Sequence, residues 1–92
     1  MINNIEKYYG KTIGELPRGT LNKITDVKGV RVGHYTVDTE SNKTGVTVIL
    51  PTEENIFINK LVAATFVLNG FGKSQGLIQV DELGNIETPI AL

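Results

Sequence analysis

"NGFGKSQGL", Asn69 to Leu77, separates an apolar run from an amphipathic one, and its reading decides the fold. Its glycines, lysine and serine admit a phosphate loop, a dinucleotide turn or a glycine corner that shapes a sheet. A phosphate loop of the form G-x-x-x-x-G-K-[ST] wraps phosphates in backbone N–H groups and reaches them with its lysine. Gly72-Lys73-Ser74 supplies the second half, but the first glycine falls on Val67, which lacks the backbone freedom the loop depends on. A dinucleotide turn is G-x-G-x-x-G between a strand and a helix. Gly70, Gly72 and Gly76 are spaced one residue too far, and the following helix has about two turns where a parallel crossover takes a dozen residues or more. The acid expected at the end of the next strand is also missing, since Glu87 stands near the start of "IETPIAL". The corner remains. Gly70, Gly72 and Gly76 let the chain leave a strand, turn sharply and begin a helix close to the sheet, with Asn69 supporting the turn. Asn69 and Lys73 are then the candidates for lining a pocket.

Upstream, "LVAATFVLN" is apolar almost throughout, as expected of a strand covered on both faces. "ITDV", "VRVGHYTV" and "VTVILP" read as further strands. A tight turn at Gly29, the polar turns "ESNKTG" and "TEEN", and Pro51 punctuate them. Downstream, "LIQVDEL" places Leu77, Val80 and Leu83 or Ile78 on one side of a short helix, which Gly84-Asn85 ends. "IETPIAL" returns to a strand. Residues 1–20 form a lead-in, in which "NNIEKYY" starts a helix capped by Asn3 or Asn4 and ended by Gly10, before the loop "GELPRGT". The expected layout is α/β, mostly strands with one or two short helices.

Composition narrows the function. Hydrophobic residues make up 40% and charged ones 21% of 92 residues, which is ordinary for one small domain. The net charge of −1 provides no basic field for nucleic acid, and the scattered lysines and arginines make no polybasic membrane patch. Without cysteine there is no disulfide, thiolate metal site or thiol nucleophile, which fits a reducing cytoplasm. "MINNIEKYYG" lacks the pattern of a signal peptide, and "LVAATFVL" is far below the ~20 residues of a membrane span. The chain stops within the apolar stretch Ile90-Ala91-Leu92, whereas a natural domain seldom ends on an unpaired sticky strand. The expectation is a piece of something longer.

Taken in order, "ITDVKGVRVGH", "TGVTVILP", "NGFGKSQGL" and "ELGNIETPIAL" resemble the amino-terminal part of the L-aminopeptidase D-amidase/D-esterase family, which includes the β-peptidyl aminopeptidases. The resemblance runs from about Leu21 to Leu92, and "KTIGELPRGT" looks like the family's lead-in. It implies a self-processing hydrolase of amino-terminal-nucleophile type, built as an α-β-β-α sandwich, of which residues 21–92 are the front part of the amino-terminal subunit. Such enzymes cut themselves at a Gly-Ser junction, and the freed serine attacks with its own α-amino group as base. An oxyanion hole supports the acyl-enzyme, with no metal or organic cofactor. Substrates are peptides or amides with a free amino end. The implied partners are the rest of the polypeptide or a processed second subunit, with assembly into a homo-oligomer, and neither nucleic acid nor membrane.

No Gly-Ser dipeptide occurs in this chain, and the polar stretch that follows "ETPIAL" in the family is absent, so no catalytic residue is carried over. His34, the single histidine, lies on an expected strand and reads as structural or surface-exposed, although its ordinary pKa also suits a base. Asp81, Glu82 and Glu87 imitate an acid pair, but the first two are neighbours on a solvated helix. Ser41, Ser74 and the threonines have no base and orienter nearby in sequence, so no triad follows. Two alternatives stand beside the hydrolase fragment: a small non-catalytic interaction or scaffold domain, and a nucleotide-binding module.

Overall fold

The computed structural model describes the backbone of residues 4–92 and the side chains from Glu6 onward. Helix α1 spans Asn4–Tyr9 and ends as expected at Gly10, which takes a φ of +64° and donates its N–H to the Glu6 carbonyl at 2.8 Å. A cap at Asn3 lies outside the described residues, and Asn4 already belongs to the helix. The lead-in is organised around a carboxylate. Glu6 is the one buried residue among those described, at 5% exposure. Its Oε1 accepts from the Ile13 N–H at 2.9 Å and from Arg18 Nη2 at 2.8 Å, and its Oε2 accepts from Asn22 Nδ2 at 3.4 Å. A carboxylate leaves water at tolerable cost only when it is paired and hydrogen-bonded in this way.

"ITDV" is not a strand. Ile24–Asp26 form one turn of 3₁₀ helix because the Asp26 carboxylate draws the preceding backbone around itself. It accepts from the Leu21 N–H at 2.9 Å and the Lys23 N–H at 3.1 Å, a local satisfaction that competes with strand pairing. The expected turn follows, with Gly29 at φ +88° and the Val30 N–H bonded to the Val27 carbonyl at 3.2 Å.

The strongest element is the hairpin of β1 (Arg31–Asp38) and β2 (Lys43–Leu50), antiparallel in unbroken register from Arg31↔Leu50 to Asp38↔Lys43. Alternation of β-branched residues favours the strands, and the polar tip closes with the Thr39 N–H on the Asn42 carbonyl at 2.8 Å. Lys43 pairs with Asp38 across the tip.

Two expected strands are corrected. "LVAATFVLN" yields only β3, Leu61–Val62. Val62 is 96% exposed and Phe66 88%, so the segment is not covered on both faces; among the described residues no second strand flanks it and no layer lies over it. "IETPIAL" is not one strand either. β4 (Asn85–Ile86) pairs with β3, the link Glu87–Pro89 interrupts the ladder, and β5 (Ile90–Ala91) pairs with β2. Proline has no N–H to donate, and here it marks the change of partner. Leu92 extends the second pairing through two bonds with Thr47, at 2.9 and 3.0 Å. The result is a three-stranded sheet, β1-β2-β5, and a two-stranded one, β3-β4. Between β3 and β4, helix α2 covers Leu77–Leu83 as expected and stops at Gly84, at φ +68° with its N–H on the Val80 carbonyl at 2.7 Å. Leu77 and Val80 face inward, whereas Ile78 and Leu83 are exposed.

The fold is mixed α/β, mostly strands with few short helices, and it is open. The chain exposes 8437 Å², where a folded 10-kDa protein exposes about 5,200 Å². The radius of gyration is 15.9 Å against about 12 Å for a compact domain of this length. No hydrophobic residue among those described is fully buried.

Candidate functional site

The two sheets leave a cleft between them of about 450 Å³, within the range of small-molecule pockets. β3 with the following Ala63–Thr65 makes one wall, the start of α2 another, and the stretch from β4 through Glu87–Pro89 to β5 the third. The lining is mainly aliphatic, from Leu61, Leu77, Val80, Ile86 and Ile90.

Its polar side chains are few, and those of Thr65, Gln79 and Glu87 are engaged. The Glu87 carboxylate accepts from Gln79 Nε2 at 3.0 Å and lies 3.7 Å from Lys60 Nζ. Lys60 in turn stands over the Phe57 ring, 4.5 Å from its centre. Thr65 donates its hydroxyl to Asp81 Oδ1, tying the extended segment to α2. These contacts hold the cleft's shape. Thr65 with Asp81 lacks the third group that would make the hydroxyl a nucleophile, since His34 is elsewhere, on β1 against Thr47 Oγ1 at 2.8 Å. His34 thus serves a cross-strand pair. Ser41 and Ser74 do not line the cleft, and no group of three or more metal-ligating side chains occurs among the described residues.

The glycine corner contributes backbone, not side chains. Asn69 and Lys73, the candidates for lining a pocket, are both exposed and stand outside this cleft; the chain reaches it only at Gln75, after the corner has turned. Within the corner, positive φ falls on Gly76 alone, at +84°, the residue that caps α2. An added Cβ at Gly70 would meet Val67 Cγ1 at 3.4 Å, ordinary contact, and at Gly72 it would meet open space. Of the acids expected to mimic a pair, Glu87 lines the cleft, Asp81 holds Thr65, and Glu82 is exposed.

Sequence reasoning missed Glu6, Arg18 and the Lys60–Glu87 pair. Their partners lie 12 and 27 residues apart, and a lone charged residue in sequence carries no sign of burial. Asp26 carried a signal, an acid just after a loop, that reads as a capping residue. The Leu21 and Lys23 amides hold its carboxyl below the usual range.

The site is thus an aliphatic cleft between two partial sheets, with no assembled nucleophile among the described residues. The chain belongs to peptidase family S58, whose family model matches residues 22–92. It is 41% identical over 83 residues to the β-peptidyl aminopeptidase BapA of Sphingosinicella xenopeptidilytica, a match covering 80% of this chain and 20% of that protein. The crystal structure of the PH0078 protein from Pyrococcus horikoshii OT3 is similar with a TM-score of 0.78 at 49% identity, over 94% of this chain and 27% of that one. The chain therefore spans about a fifth to a quarter of the length of these relatives. No helix among the described residues is long and apolar enough to cross a membrane.

Proposed function

We propose that these 92 residues are the front portion of the amino-terminal subunit of a self-processing aminopeptidase or amidase. The observation that carries the reading is the 41% identity to a β-peptidyl aminopeptidase of which the chain covers only a fifth. In the whole enzyme the two partial sheets belong to an α-β-β-α sandwich, joined by the rest of the polypeptide or a processed second subunit, and such units assemble as a homo-oligomer. The substrate is a peptide or amide with a free amino end. A serine freed by self-cleavage attacks its carbonyl carbon, while the serine's own α-amino group takes the hydroxyl proton and passes it to the leaving amine. Water then hydrolyses the ester. This chain supplies scaffold to that chemistry and is inactive alone, having no Gly-Ser junction in its sequence and, among the described residues, no nucleophile with a base beside it.

Two measurements test the proposal. The 92-residue chain should not hydrolyse an aminoacyl p-nitroanilide. A graft of residues 22–92 in place of the matching segment of the Sphingosinicella enzyme should cleave itself and turn over a β-dipeptide. Robust turnover by the short chain, purified free of any longer form, refutes the assignment.

A further inference from the structure

We infer that Asn69 is a site of spontaneous covalent modification in this chain, converting through a cyclic imide with Gly70 into aspartate and isoaspartate. The reaction needs a side-chain amide without a partner, a following backbone N–H free to attack it, and room in the main chain for the two to meet. The corner supplies all three.

Asparagine side chains ordinarily satisfy their amides close by. Asn22 donates to the Glu6 carboxylate at 3.4 Å, Asn42 to the Ser41 hydroxyl at 3.2 Å, Asn59 to the Glu54 carboxylate at 3.2 Å and Asn85 to the Leu83 carbonyl at 3.5 Å. Asn55 accepts from the Phe57 and Ile58 N–H groups, at 3.1 and 3.2 Å. Asn69 is exposed, and it is the one asparagine with a described side chain that makes no hydrogen bond among the described residues. It is also the one asparagine in the chain followed by glycine.

The backbone is equally free. Asn69 and Gly70 belong to no strand or helix, and the Gly70 N–H donates to no backbone carbonyl among the described residues. Glycine has no Cβ to block the approach of its nitrogen to the preceding side chain. The surroundings are open, since even an added Cβ at Gly70 would meet only Val67 Cγ1, at 3.4 Å.

Hydroxide removes the Gly70 amide proton, and the nitrogen bonds to Asn69 Cγ. The Cγ–Nδ2 bond breaks, and Nδ2 takes a proton from water and leaves as ammonia. Water then opens the cyclic imide. Breaking the bond from the Gly70 nitrogen to Cγ gives aspartate. Breaking the bond to the main-chain carbonyl carbon of residue 69 gives isoaspartate, with the chain now routed through Cγ. Each conversion adds one negative charge to a chain of formal net charge −1. Isoaspartate also adds one carbon to the main chain ahead of Gly76, the cap of α2.

Tryptic mapping by mass spectrometry tests the inference on the 92-residue chain, aged at physiological pH and temperature. Cleavage after Lys60 and Lys73 releases residues 61–73, in which Asn69 is the one asparagine. That peptide should acquire the mass change of amide to acid about tenfold or more faster than the peptides bearing Asn22, Asn42, Asn55, Asn59 or Asn85. It should resolve into two forms, of which the isoaspartate accepts a methyl group from an isoaspartyl methyltransferase. The rate should match that of a synthetic 61–73 peptide within about threefold, because no local opening has to precede the attack. Gly70→Ala should slow the conversion by about tenfold or more, and Asn69→Gln should stop it. A rate in the chain far below that of the free peptide overturns the inference, because the fold then shields the pair. Conversion at Asn69 no faster than at the other asparagines overturns it as well.

Discussion

Gly45→Ala should loosen the β1–β2 hairpin, and Gly33→Ala should tighten it. Gly45 stands opposite Thr36, where the two strands approach closely. A Cβ built there lies 2.8 Å from the Tyr35 carbonyl oxygen and 3.5 Å from Thr36 Cα. The first contact is about 0.6 Å inside van der Waals distance, and the atom it meets is backbone within a paired ladder, so one strand has to move. Overpacking of this kind costs about 1–3 kcal/mol, offset by about 0.4–1 kcal/mol from the reduced freedom of the unfolded chain. The net is a loss of roughly 1–2 kcal/mol. Gly33 lies on the neighbouring strand, opposite Val48, and a Cβ there meets nothing within 4 Å. Its backbone is extended, so alanine keeps only the entropic gain of about 0.4–1 kcal/mol. Exchange of the β1 and β2 amides reads both variants. Gly45→Ala should speed exchange by roughly 5- to 30-fold, and Gly33→Ala should slow it. A neutral Gly45→Ala, or two variants shifting together in the same direction, would refute the close approach as the reason for glycine at 45.

Glu6→Ala should free the lead-in at a cost of about 2–3 kcal/mol, because it strands the Arg18 guanidinium and the Ile13 amide together, and tryptic cleavage after Lys11 and Arg18 should accelerate. Gly84→Ala forces a side chain into φ +68° and should destabilise the end of α2 by about 1 kcal/mol, seen as faster exchange at the Gly84-to-Val80 bond. The Asp26 carboxyl titrates below its ordinary value because the Leu21 and then the Lys23 amide stabilise the charged form. Its contribution is therefore present above the unfolded value near ~3.9 and is lost as pH falls through the lower folded one. Asp26→Asn should abolish that acid-dependent step in the exchange of the Lys23 amide.

Local chemistry was legible in the sequence and long-range pairing was not. The hairpin, the Gly29 turn, α2 and its Gly84 stop all follow from contacts within a few residues, where strand alternation and glycine placement act directly. The misreadings have two causes. "LVAATFVLN" carries the apolar content of a covered strand, but coverage is supplied by neighbours, and among the described residues its only ladder is the short one with β4. "ITDV" has strand-like residues at three of four positions, yet Asp26 outweighs them by offering two amides a local partner. At the candidate site, Glu87 was visible as an acid, but nothing in its surroundings along the chain showed that Lys60 and Gln79 would meet it. Asn69 and Lys73 drew attention because they flank glycines, whereas the corner works by turning the chain and leaves both side chains in water.

The link Glu87–Pro89 ties these features together. It carries the chain out of the β3–β4 ladder and into pairing with β2 within three residues, so seven consecutive residues, 85–91, serve both sheets. A continuous strand there would have kept its side chains in one sheet and closed the space beside α2. Breaking the ladder separates the sheets and leaves Glu87, Thr88 and Pro89 along the cleft wall. The proline fixes where the break falls, since residue 89 cannot donate to either ladder. Glu87 is then held at the mouth of the break by Lys60 and Gln79, one from the segment before β3 and one from α2. The cleft is in this sense built by the turn away from one sheet.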